Sequence, residues 1–175
     1  MTLPLSEGGI SMVRDHKTSG GGVIIATLLV AAWLTLLPLP DVLAFFRPQW
    51  LVLVLIYWAI ALPHRIGAFS GFALGVFTDV LLGSPLGQHA MAMALVAWLA
   101  QAMHKRMRVF PPLQQCLVVF LLVGVSIMVT YLLQGTAGRA LYSPLLMQLG
   151  AFASALLWRP VYSVLRLVRQ HFLVR

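Results

Sequence analysis

The sequence predicts an all-α integral membrane protein of six short-looped transmembrane helices. Three observations predict it. Of 175 residues, 61% are hydrophobic and only 9% are charged, with a mean hydropathy of +0.93, a balance that needs lipid as its solvent. The apolar residues fall into runs broken by proline, glycine and basic turns. Lastly, ten of the 12 Lys and Arg residues fall on one set of alternate turns and tails. At about 20 residues per span, six spans occupy roughly two thirds of the chain and leave no room for a soluble catalytic domain.

The chain divides into a disordered cytoplasmic tail over 1–22, a six-helix transmembrane domain over 23–168 and a basic cytoplasmic tail over 169–175. The first tail is polar and closes on the flexible run Ser19-Gly20-Gly21-Gly22. Span one, 23–37, is uncleaved and ends at Pro38-Leu39-Pro40-Asp41, because proline cannot continue a helix. The second apolar run, 50–62, lies between Arg47-Pro48 and Pro63-His64-Arg65. It is short enough for a re-entrant segment, unless part of 42–46 joins it or the bilayer thins. Span three, 66–82, ends at Gly83, and Ser84-Pro85 reads as an N-cap and first position of span four, 86–103. The basic turn His104-Lys105-Arg106-Met107-Arg108 and then Pro111-Pro112 lead into span five, 113–133. A polar loop over 134–143 precedes span six, 144–158, which Arg159-Pro160 interrupts before an amphipathic basic end.

Orientation follows from the basic residues, since positive charge is retained on the cytoplasmic side. With the N-terminus inside, Arg14, Lys17, Arg65, Lys105, Arg106, Arg108, Arg159, Arg166, Arg169 and Arg175 are cytoplasmic, leaving only Arg47 and Arg139 outside. A re-entrant second run would put the Lys105–Arg108 cluster outside, so the charge pattern favours a full span. The net charge of +8 is dispersed among apolar runs. It forms no basic face for nucleic acid, and the cytoplasmic basic turns are available for acidic membrane lipid headgroups or for a protein complex at the membrane.

Only four acids exist. Glu7 and Asp15 lie in the tail and Asp41 in the outer turn, which leaves Asp79 inside span three, one turn before Gly83. Low dielectric and the negative end of its own helix both disfavour a carboxylate there, so it needs a partner. His89, Arg47 and Arg139 are the candidates on the same side, with a polar group of another protein or interfacial water as alternatives. No second intramembrane acid completes a proton relay, so a structural or partner-binding role is expected.

The same helix carries Gly67, Gly71, Gly75, Asp79 and Gly83 at a strict spacing of four, on one face. Small residues let another backbone approach closely, as helices in lipid require. The packed helix could belong to this chain or to a partner. No catalytic residues, metal site or cofactor are expected: no histidine pair has zinc-ligand spacing, and no phosphate loop or nucleophile elbow is present. Cys116 sits in an apolar run, Met91 and Met93 read as helix surface, and the tryptophans read as an aromatic belt at span ends.

Pro38-Leu39-Pro40, Arg47-Pro48-Gln49-Trp50, Tyr57-Trp58, Leu62-Pro63-His64-Arg65-Ile66-Gly67, Gly71, the run Asp79 to Gly87, and Gln114-Gln115 follow one another in an order that resembles the MreD family of rod shape-determining proteins. The likeness runs from about residue 20 to the end, including Leu156-Leu157-Trp158. Two departures stand out: the first 20 residues look like an extension, and Gln49 stands where relatives are expected to carry an acid. The resemblance implies a non-enzymatic scaffold of the cell-elongation complex in the bacterial inner membrane. It would bind MreC and work with MreB, RodA and a class B penicillin-binding protein in lateral peptidoglycan synthesis. It also implies a fold similar to the S components of energy-coupling-factor transporters. A small-molecule-binding subunit of a vitamin transporter is therefore the alternative reading.

Overall fold

The protein is represented by a computed structural model that describes residues 19–38, 46–136 and 148–172. Among these residues the chain forms seven helices and no strand: α1 (Ser19–Leu36), α2 (Trp50–Ala61), α3 (Ala68–Leu82), α4 (Gln88–Ala102), α5 (His104–Val109), α6 (Pro112–Thr136) and α7 (Leu149–His171). Glu7, Asp15, Asp41, Arg139 and Arg175 lie outside the described residues, as does the expected polar loop from residue 137 on, whereas its first residues, 134–136, belong to α6.

The short apolar run is the centre of the molecule. Every residue from Leu51 to Ala61 in α2 is buried, which is where a helix apolar on all sides must go. It packs against α1, α4, α5, α6 and α7. Its 12 residues span roughly 18 Å, less than the ~30 Å of a hydrocarbon core. Its ends therefore stop inside protein, where their polar groups must find partners. At the N-terminal end the Gln49 N–H donates to Ser154 Oγ of α7 at 2.9 Å. At the C-terminal end Arg108 Nη2 donates to the carbonyls of Ile60 and Ala61 at 3.1 and 3.2 Å, and Gln101 donates to the Pro63 carbonyl. A cation suits this end, where unpaired carbonyls carry the negative pole of the helix.

Side-chain contacts fix the directions of the helices. Trp58 Nε1 donates to Thr27 Oγ1 at 2.9 Å, and Arg47 Nη2 to the Leu37 carbonyl at 3.2 Å, so α1 runs antiparallel to α2. Gln49 meets Ser154, and the Tyr57 and Tyr162 rings stack edge to face with centroids 5.6 Å apart, so α7 runs parallel to α2. One end of the bundle thus collects the C-terminal ends of α2, α4 and α7 with α5. The other collects the C-terminal end of α3 and the N-terminal ends of α2 and α4.

Several elements differ from the sequence expectations. Ser19–Gly22, expected in the tail, form the first turn of α1. Ser84 does not cap α4, which starts at Gln88 after an N-cap at Gly87. Pro160 lies inside α7, which continues to His171 through the expected break. Trp158 before the proline and Leu165 after it are both buried, and this packing carries the helix across the lost hydrogen bond. Trp58 and Trp158 are core residues, not belt residues, and Met93 is buried while Met91 is exposed.

The exterior is apolar: Leu29, Trp33, Phe69, Trp98, Leu117 and Leu156, on five different helices, are exposed, as in a protein wetted by lipid. The segments Pro112–Gly135 and Leu149–His171 are long and apolar enough to cross a membrane, and Gly21–Leu36, Trp50–Ala61 and Ala68–Leu82 are shorter apolar helices. This is the build of a helical membrane protein.

Arg108→Met, which keeps the stem but removes the donors, is expected to cost about 1 kcal/mol through the freed Ile60 and Ala61 carbonyls. Thermal unfolding in detergent would read this as a lowered midpoint; an unchanged midpoint would show that the cap contributes nothing.

Candidate functional site

The turn between α3 and α4 is built by two glycines. Gly83 ends α3 in the left-handed region at φ 61°, which glycine adopts without a steric penalty. Its N–H reaches the Val80 carbonyl while the Ser84 N–H reaches the Asp79 carbonyl at 3.0 Å, the paired bonds of a Schellman ending. Gly87, also at positive φ, then occupies the N-cap of α4. A glycine there has no side chain with which to satisfy the first N–H groups of the helix.

Asp79 supplies what Gly87 lacks. Its buried carboxylate accepts the Gly87 N–H at 2.9 Å, the His89 N–H at 3.0 Å and the Ala90 N–H at 3.4 Å. The Ser84 hydroxyl donates to Oδ1 at 2.8 Å, and His89 Nδ1 lies 2.8 Å from the same oxygen. The carboxylate is thus an N-cap contributed by the preceding helix. The negative pole of α3 disfavours it, but the positive N-terminus of α4 and these donors compensate. With about four acceptor sites on a carboxylate, little capacity remains for a base or a second partner.

Of the three partners expected for Asp79, the structure brings up His89. Arg47 instead donates to the Leu37 carbonyl, and its buried Nε has no hydrogen-bond partner; Arg139 lies outside the described residues. The donors that the sequence reading missed are the N–H groups of α4 and the Ser84 hydroxyl. The one available signal was a capless Gly87 eight residues beyond a buried acid.

The glycine face meets α4 of this same chain. A Cβ on Gly71 would stand 2.5 Å from the Met93 carbonyl oxygen and 2.7 Å from Ala97 Cβ, and one on Gly75 would sit on the backbone of Ala90. Gly67 faces the Gln101 side chain, whereas a Cβ on Gly83 would meet open space. Ala90 and Ala97 present the matching small side chains, so the two backbones run in close antiparallel contact.

The basic residues Arg65, Lys105, Arg106 and Arg108 lie at the opposite end from Asp79, around the C-terminal end of α2. Arg65, Lys105 and Arg106 are exposed. Among the described residues no group of three or more His, Cys, Asp or Glu comes together to hold a metal ion.

Residues 17–168 match the family described as rod shape-determining protein MreD. The chain is 33% identical over 147 residues to the rod shape-determining protein MreD of Haemophilus influenzae, across 84% of this chain and 90% of that one. No solved structure matches the chain.

Asp79→Ala is expected to destabilise the protein by roughly 2–4 kcal/mol, since it strands several N–H groups, and Asp79→Asn by less, because one oxygen remains to accept. Thermal unfolding in detergent should rank natural above Asn above Ala; equal midpoints would remove the capping role. Gly75→Ala should prevent stable folding, whereas Gly83→Ala should cost only about 1 kcal/mol of backbone strain. The reverse order would contradict the close α3–α4 contact.

Proposed function

The chain belongs to the MreD family of rod shape-determining proteins, and from that premise we propose that it is a non-catalytic scaffold of the bacterial cell-elongation complex. In this reading it crosses the inner membrane six times with both termini in the cytoplasm. Helices α1, α3 and α6 run outward and α2, α4 and α7 inward, with α5 as a cytoplasmic turn. The excess of basic residues on one set of turns supports this orientation. The shortness of α2 and α4 fits it because neighbouring helices cap both ends of α2 and the N-terminal end of α4.

The observation that carries the scaffold reading, beyond the family, is the engagement of Asp79. The one acid among the described residues is buried and saturated with donors from a turn, so it holds a structure together and is not poised to transfer a proton. Its protein partner is MreC, bound through the outward faces of the bundle, because the glycine face of α3 is already filled by α4. Through MreC the scaffold would reach MreB, RodA and a class B penicillin-binding protein during lateral wall synthesis.

A gentle-detergent pull-down of the tagged chain from its native membranes, followed by mass spectrometry, tests this. An MreC-like protein is expected with the wall-elongation enzymes. Asp79→Asn should retain that partner per folded molecule, since the carboxylate is buried. Recovery of paired ATPases with a transmembrane coupling subunit would instead make the chain a transporter component.

A further inference from the structure

Besides the basic residues of α7, the end of the bundle opposite Asp79 gathers basic groups from two further segments that lie side by side. The stretch 62–67 carries Arg65, and α5 carries Lys105 and Arg106. Three contacts hold these segments beside one another: Gln101 donates to the Pro63 carbonyl, Arg108 to the carbonyls of Ile60 and Ala61, and the Gln101 side chain fills the space beside Gly67. Gln115 then fixes the turn between α5 and α6 by donating to the carbonyls of Met107 and Phe110. Arg108 is committed to α2. Arg65, Lys105 and Arg106 are exposed, and among the described residues no acid lies at this end to neutralise them.

A second, independent feature shares this end. The three most exposed large apolar side chains of the described residues are Phe69 (86%), Val109 (84%) and Leu113 (83%). Each follows the cationic segments closely: Phe69 in the first turn of α3, Val109 at the end of α5 and Leu113 at the start of α6. Exposed cations on segments held together, beside exposed apolar side chains, match a molecule with an anionic head and acyl chains, and match neither a free anion nor a purely apolar ligand.

We propose that this end is a binding site for an anionic phospholipid, with Arg65, Lys105 and Arg106 on the headgroup phosphate and Phe69, Val109 and Leu113 against the acyl chains. The inference rests on the membrane reading above. It assigns the α5 turn a ligand in addition to its part in topology. Because the cations are exposed, their attraction to the lipid weakens as salt rises.

The test uses the full chain, delipidated in a non-ionic detergent and offered phosphatidylglycerol or phosphatidylcholine, with retained lipid counted by native mass spectrometry. Phosphatidylglycerol should be retained in clear preference, and inorganic phosphate should not displace it. Lys105→Gln or Arg106→Gln alone should weaken retention roughly fivefold, and R65Q/K105Q/R106Q together roughly a hundredfold, at an unchanged unfolding midpoint. Equal retention of the two lipids, displacement by phosphate, or a triple variant that keeps the preference would each overturn the site. Recovery of the chain in the carbonate wash of its native membranes would overturn the membrane reading itself, and an integral chain without lipid preference only the site.

Discussion

A helix that is apolar on every side and only 12 residues long cannot satisfy its own end groups, and in lipid no water reaches them. The neighbours of α2 are arranged around that constraint. Ser154 holds its N-terminal end and Arg108 its C-terminal end. These bonds set the depth of α7 and place α5, and the aromatic set Tyr57, Trp58, Trp158 and Tyr162 fills the space between. Burial of α2 against α1, α4 and α7 then builds the core of the described residues.

The α3–α4 hairpin applies the same logic to a second helix end. Gly87 makes a tight entry to α4 but leaves its first N–H groups without a cap, and Asp79 reaches across the turn to provide one. A carboxylate buried in a membrane protein often marks transport or catalysis. Here the surrounding donors turn it into a fixed part of the frame. Close contact through Gly71 and Gly75 brings α4 within reach of that carboxylate, so the glycine spacing and the acid on the same face are two parts of one device.

The helical class and some of the helix ends were legible in the sequence because proline, glycine and apolar length act locally. The ending of α3 at Gly83 is an example. The spacing of four that aligns the glycines was legible too, although not which helix would fill the face. The partners of Asp79 were hidden because most are backbone N–H groups, which every residue carries and no residue type announces. Arg108 was hidden for a related reason: counted by charge it marks a side of the membrane, and only the folded chain places its guanidinium on the end of α2. Trp58 and Trp158 look like interfacial anchors until α2 is seen to be surrounded. Pro160 looks like a stop until the packing on both sides of it is seen.

Depletion of the chain from the bacterium that encodes it, with cell width followed by microscopy, tests most directly the claim that this frame serves cell shape and not transport or catalysis. The account predicts that rods widen and round as the protein disappears, and that the natural sequence restores them. Cells that keep their width and elongate normally without the protein would contradict it.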